Sequence, residues 1–201
     1  MKKYKYITVL LVLGLSAASI CHQSDSEQPG EYRLKAAYLY NFIRFADWPA
    51  RAADSNEIKI AIISGEPLVD FFEPLKDKKV KNKKVLIMQL PSFEKIQQLN
   101  KKDKKEFARQ IESIKSSHLL FISSSESAYI KDIISLTKNT NIMTVGESSN
   151  FLSDGGMINF LTEDNKLCFE INLEASDKAK IEFSSQLLQL ARRIVKAKDK
   201  P

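Results

Sequence analysis

A chain of 201 residues with 43% hydrophobic content has enough apolar material for one compact domain with a full core. Its two histidines and two cysteines supply no set of paired ligands for a zinc site. The formal charge of +6 falls to about +3 once the lysines of an N-terminal leader are discounted, so the basic balance makes no case for nucleic acid, which an exported protein does not normally meet.

The leader comes first in the chain. Lys2, Lys3 and Lys5 precede a short apolar run, Ile7 to Leu15, and then the small residues Ser16, Ala17, Ala18 and Ser19. That is the layout of a secretory signal peptide, expected over residues 1–18. The run is too short to span a bilayer, which takes roughly 20 apolar residues. Cys21 offers a lipid-anchored alternative, against which stands Ile20, where a small residue would be needed. Residues 19–30 read as a flexible polar linker, residues 31–196 as an α/β domain and residues 197–201 as a disordered tail.

Glu31 to Ala46 is helical by composition, and Trp48-Pro49 stops it, since proline disfavours helical backbone at the residue before it. Residues 57–65 (EIKIAIISG) are rich in β-branched side chains and end at Ser64-Gly65, which marks a strand. Pro67 to Leu75 can start a helix. The lysine runs at 76–84 and 101–105 read as solvated surface. Residues 83–90 form a second strand closed by Pro91, residues 92–116 one or two surface helices, and residues 118–125 a third strand. A helix over 125–139 places Ile130, Ile133, Ile134 and Leu136 inward. Residues 141–148 make a fourth strand. Alternating strands and helices, each strand a nearly continuous apolar run, predict a doubly wound, mostly parallel sheet covered on both faces. The last quarter departs from that pattern. Two strand-like runs within 155–173 flank the polar turn Glu163-Asp164-Asn165, which predicts a β-hairpin. A final helix is expected from Ser184 to Lys196, with Leu187, Leu188, Leu190, Ala191, Ile194 and Val195 as its buried stripe.

Catalytic groupings are not found in the sequence. His22 lies in the linker, and His118 opens a strand, where a satisfied edge residue is the expected role. Neither a G-x-S-x-G elbow nor a G-x-G-x-x-G turn occurs. No cofactor is implied, and an enzyme ranks last among the function classes. The carboxyl ends of parallel strands can hold a ligand, which nominates Ser64, Gly65, Ser123 and Ser124 as a ligand edge for a small-molecule sensing module. Gly155-Gly156 is expected to supply a tight turn. Asn41 and Asn159 sit within apolar runs. An unpaired buried amide costs roughly 1–3 kcal/mol, so both are expected to satisfy backbone groups and fix helix against sheet.

The opening helix, KAAYLYNFIRFADWP, carries almost no polar side. Arg44, Asp47 and Pro49 exclude a membrane span. A helix apolar all round is either sandwiched in a core or half covered by a partner. Its rings suit an interface because tyrosine and tryptophan tips tolerate water. Tyr38, Tyr40, Phe42 and Trp48 are therefore the candidate positions that contact a partner or support such a contact.

The stretch YRLKAAYLYNFIRFADWP resembles the opening signature of the YfiR-like family of bacterial periplasmic proteins. The resemblance recurs over residues 155–194, in the glycine pair, the Ile-Asn-Phe run, the Phe-x-Ile-Asn strand and the closing Leu- and Ala-rich helix. It implies a single Rossmann-like α/β domain without catalytic residues, a homodimer, and a periplasmic regulatory role. It further implies, as partner, the periplasmic sensor portion of an inner-membrane signalling protein such as a diguanylate cyclase, with cyclic di-GMP and biofilm formation as the output. Disulfides matter in such proteins, but two cysteines, Cys21 and Cys168, cannot make a two-disulfide framework.

Overall fold

The computed structural model describes residues 29–49, 56–63, 67–75 and 78–196. The leader with its cleavage site, Cys21, Ser64, Gly65 and residues 197–201 lie outside the described residues. Pro29 and Gly30, expected in the linker, already belong to the first helix, α1 (Pro29–Arg44).

Strand β1 (Ala46–Asp47) follows α1, then β2 (Glu57–Ile63) and a 3-10 segment (Pro67–Leu75). A hairpin of β3 (Lys79–Val80) and β4 (Lys83–Leu90) comes next, and then α2 (Phe93–Lys102) and α3 (Lys104–Lys115). Asp103 separates the two helices and caps the second, its side chain accepting from the Glu106 N–H at 3.0 Å. After β5 (Leu119–Ile122), a 3-10 turn (Ser124–Tyr129) leads into α4 (Ile130–Leu136) and β6 (Met143–Gly146). The hairpin β7 (Ile158–Glu163) and β8 (Lys166–Asn172) precedes α5 (Leu173–Ala179), β9 (Glu182–Phe183), α6 (Ser185–Leu190) and β10 (Arg193–Val195).

The main sheet has the order β10-β8-β7-β6-β5-β2-β4-β3. Its five central strands, β4, β2, β5, β6 and β7, are parallel. Taken in chain order they lie as 2-1-3-4-5, a doubly wound arrangement whose direction switches between β2 and β5. The α/β, Rossmann-like expectation is met. One face of the sheet packs α1 and the 3-10 segment onto Ile58, Ile60, Phe121, Val145, Ile158 and Phe160. The other packs α2, α3 and α4 onto Ala61, Ile63, Leu120 and Ile122.

Two local findings revise the sequence reading. The lysine run at 76–84 is partly strand. Lys81 and Asn82 both take positive φ, 52° and 63°, the turn that suits a two-residue hairpin. The β7–β8 hairpin was expected, and it turns on Asp164-Asn165 in the same way, at φ 49° and 59°. The closing helix is short. It stops at Leu190, which is 66% exposed rather than buried, and the chain then runs parallel to β8 as β10. Arg192 and Arg193 turn to the hairpin in this arrangement. Arg193 grips Glu170 through two bonds of 2.7 and 2.9 Å, and Arg192 reaches Glu163 at 2.5 and 3.0 Å, so both side chains lie along the hairpin.

Candidate functional site

Helix α1 buries Lys35, Ala36, Leu39, Phe42 and Ile43 and leaves Arg33, Leu34, Ala37 and Arg44 exposed. The buried set follows the i, i+3, i+4, i+7 spacing of one helix face. Each large side chain fully buried there contributes about 1.5–3 kcal/mol, which holds α1 on the sheet. The helix is thus neither sandwiched nor free: one side is core and the other faces solvent.

Tyr38 stands at the boundary of the two sides, half-buried. Its ring lies 6.0 Å from Phe42, 5.8 Å from Phe160 and 5.5 Å from Phe169, in stacked, tilted and edge-on contacts. Phe42 is fully enclosed, 5.0 Å from Phe169 and 5.6 Å from Phe160, so it can only support a contact made by others. Burial, and secondarily charge repulsion from the nearby Cys168, raises the Tyr38 phenol above its ordinary value. Leu34, one turn earlier, is 43% exposed. Leu167 and Phe183 lie half-buried against the same core. Tyr40 and Trp48 sit elsewhere. The Tyr40 hydroxyl donates to the Lys79 carbonyl at 3.5 Å. The Trp48 indole N–H donates to the Asn141 carbonyl at 3.0 Å, and its ring meets His118 edge-on at 6.0 Å. The four nominated rings therefore do not form one patch: Tyr38 and Phe42 adjoin the hairpin, whereas Tyr40 ties α1 to β3 and Trp48 ties its exit to the segment before β6.

The ligand edge behaves differently. Ser123 is fully buried, and its hydroxyl shares a hydrogen bond of 2.6 Å with that of Ser125. The Ser124 N–H donates to Glu147 Oε1 at 2.8 Å, and the Phe93 N–H donates to Glu126 Oε2 at 3.0 Å. Backbone donors at the carboxyl ends of parallel strands are the groups that receive an anionic ligand. Here the chain's own carboxylates already hold them. Glu147 also meets Lys35, Nζ to Oε2 at 2.5 Å, as an ion pair rather than an aligned hydrogen bond. Lys35, 2% exposed, has a second carboxylate at 3.2 Å, that of Glu31. The group ties α1 to the loops after β5 and β6 and borders a small hollow of about 130 Å³ that includes Leu161 and Leu167. Sequence reading passed over Lys35. The available signal was a lone lysine inside the apolar stripe of α1; its partner Glu147 lies in a distant element.

The remaining nominated residues are structural in their contacts. His118 Nδ1 accepts from the Lys59 N–H at 3.1 Å, as a satisfied strand residue does. Asn41 is only half-buried, and its side chain accepts from Arg44 at 3.2 Å, not from a backbone group. Asn159 is 6% exposed, and its Oδ1 has no hydrogen-bond partner among the described residues, so it does not fix helix against sheet. Gly155 takes φ +100°, the turn expected of it. Gly156 instead makes room for the ring of Phe151. Among the described residues no group of three or more His, Cys, Asp or Glu side chains could hold a metal ion, and no helix is long and apolar enough to cross a membrane.

A family model described as YfiR/HmsC-like matches residues 32–192. No curated protein matches the chain. Among solved structures, a conserved domain protein from Vibrio cholerae O1 biovar El Tor strain N16961 is similar, with a TM-score of 0.50 and 12% identity over 81% of this chain and 60% of that one. A second is the ABC domain in complex with L-Trp from Streptococcus pneumoniae, with a TM-score of 0.49 and 11% identity over 69% of this chain and 55% of that one. The chain thus spans about 60% of the first of these proteins, and at such identity the likeness is one of fold.

Proposed function

Because this chain belongs to the YfiR/HmsC-like family of periplasmic regulators, we propose that it is an exported binding protein that restrains an inner-membrane signalling protein, such as a diguanylate cyclase, by holding its periplasmic sensor portion. The observation that carries the reading is the solvent-facing side of α1. Leu34 is 43% exposed there, and Tyr38 is braced on Phe42, Phe160 and Phe169, a rigid ring with a water-tolerant tip. The occupied donors at the carboxyl edge of the sheet count against an anionic metabolite or phosphate ester as ligand there. To shift a signalling equilibrium the protein must bind one conformation of its partner better than the other. The family reading also carries the expectation of a homodimer.

Deleting the gene should raise cyclic di-GMP and surface attachment, and expression of the intact chain should reverse both. No change in either quantity under any growth condition would defeat the proposal. Co-purification of the exported protein with an inner-membrane protein bearing a periplasmic sensor identifies the partner, and sedimentation of the protein alone tests the homodimer.

A further inference from the structure

An open cleft of about 680 Å³ is bounded by the turn after α4, loop 149–157, α5 and β10. Its lining includes Thr144 near the amino end of β6, Met157 just before β7 and Asn172 at the carboxyl end of β8, so it lies at the opposite end of the parallel strands from Ser123 and Ser124. We propose that this cleft binds a small organic acid: an apolar body that carries a carboxylate and a further oxygen acceptor.

The spare hydrogen-bonding capacity of the lining is on the donor side. Thr144 and Asn172 are both buried. They share one face of the sheet, since their strand neighbours Val145 and Ile171 belong to the core under α1. The Thr144 hydroxyl accepts from the Met157 N–H at 3.1 Å, and its own proton meets no acceptor among the described residues. The Asn172 amide is held one way round. Its oxygen accepts from the Ala175 N–H at 3.2 Å, and one of its two N–H groups donates to the Leu152 carbonyl at 3.2 Å. The second N–H is unmatched among the described residues. A buried donor left without a partner costs about 1–3 kcal/mol, a cost that a bound acceptor removes. A cation, or an apolar surface, can do nothing for either group.

Charge points the same way. Each carboxylate of the lining has a cation: Glu170 with Arg193 at 2.7 Å, Glu174 with Lys178 at 2.7 Å and Asp154 with Lys131 at 3.7 Å. The cations of these pairs are exposed, so the pairs yield at little cost and bar a ligand of neither sign. Lys138 is the exception. It stands exposed at the rim, on the turn after α4, with no ion-pair partner among the described residues. The surplus is therefore one positive charge, which suits a monoanion better than a phosphate dianion. Ile134, Ile142, Leu152, Met157 and Val195 supply an apolar side for the rest of the ligand. The volume falls within the roughly 300–1,000 Å³ usual for small-molecule sites.

The test uses three fluorescent probes of one skeleton: 6-methoxy-2-naphthoate, its carboxamide, and the corresponding naphthylmethylammonium. Titrated into the purified protein at one low salt concentration, the carboxylate should bind saturably at one per chain, and the amide and the ammonium at least about tenfold more weakly. Lys138→Glu reverses an exposed charge and should leave Tm as in the parent. It should weaken the carboxylate by about tenfold or more and let the ammonium bind better than it does to the parent. Thr144→Val should weaken carboxylate and amide alike, whereas Thr144→Ser, which keeps the hydroxyl, should bind both as the parent does. Should Thr144→Val fail to fold, Lys138→Glu decides alone. The assignment is overturned by a carboxylate that does not saturate by about 1 mM, or that binds no tighter than the ammonium. It is equally overturned if carboxylate affinity is unchanged in Lys138→Glu or in folded Thr144→Val.

Discussion

The ammonium of Lys35 lies 2.5 Å from Oε2 of Glu147, with only 2% and 7% of the two side chains exposed. The pair bolts the start of α1 to the carboxyl edge of the sheet. Removing Lys35 leaves the Glu147 carboxylate buried without its counter-charge, a loss of about 3–5 kcal/mol, whereas removing both charges is often close to neutral. Lys35→Met should therefore lower the unfolding free energy in urea by about that amount. Adding Glu147→Gln, which can still accept from the Ser124 N–H, should restore most of it. A single variant as stable as the parent, or a double variant no better than the single, would show that the pair is solvated and not structural.

Phe151 is fully buried between two glycines. A methyl group placed on Gly146 would come within 2.3 Å of its ring, and one on Gly156 within 2.2 Å. Gly146→Ala and Gly156→Ala should each cost about 1–3 kcal/mol by overpacking, and Phe151→Ala about 3–5 kcal/mol by the cavity it leaves. Phe151→Leu in the Gly146→Ala background should recover part of the loss. Equilibrium denaturation of the four variants checks this; additive losses in the last combination would mean that ring and glycine do not meet.

The parts of the fold legible in the sequence are those set by local pattern. The apolar runs of β2, β4, β5 and β6 and the polar turn of the β7–β8 hairpin announce themselves within a few residues. What was missed depends on distant partners. LLQLARRIV has helical spacing, and its second half becomes a strand beside a distant element, β8, with Glu163 and Glu170 of the hairpin receiving Arg192 and Arg193. The lysines around β3 look like solvated surface, although Asn82 is a usable sign of a turn tolerating positive φ. The candidate site was half legible. The rings of α1 stand out by composition, but nothing local distinguishes Phe42, enclosed, from Tyr38, half-exposed, nor reveals that Glu147 would fill the anion position beside Ser124.

If the outer side of α1 meets the partner, a change there should separate restraint from stability. Leu34 is exposed, so Leu34→Glu should stay within about 0.5 kcal/mol of the parent while weakening restraint. Tyr38→Ala removes the braced ring and should weaken restraint further, by a factor of about ten or more for a contact of hot-spot size. Tyr38→Phe, which keeps the ring, should retain most of it. Cyclic di-GMP measured in strains carrying each variant, with exported protein quantified alongside, decides the matter. Normal restraint by both Leu34→Glu and Tyr38→Ala would move the interface off this helix.

The last strand should be sensitive to acid. The hydrogen bond from Arg192, with its charge, holds the Glu163 carboxyl below the ordinary glutamate range. A carboxylate whose folded value is lowered adds stability that is complete above the unfolded value and is lost as pH falls through the folded one. The clamp of Arg192 on the hairpin is therefore intact near neutrality and released in acid. Because both groups face water, added salt should weaken it as well. Carboxyl NMR should give Glu163 a midpoint below that of the same residue in Arg192→Gln. Hydrogen-exchange protection of Ile194 and Val195 should fall across that midpoint while Leu120 and Phe121 in β5 keep theirs. A Glu163 midpoint unmoved by Arg192→Gln would detach the strand's stability from this pair and leave its pairing with β8 to the backbone and to Arg193 with Glu170.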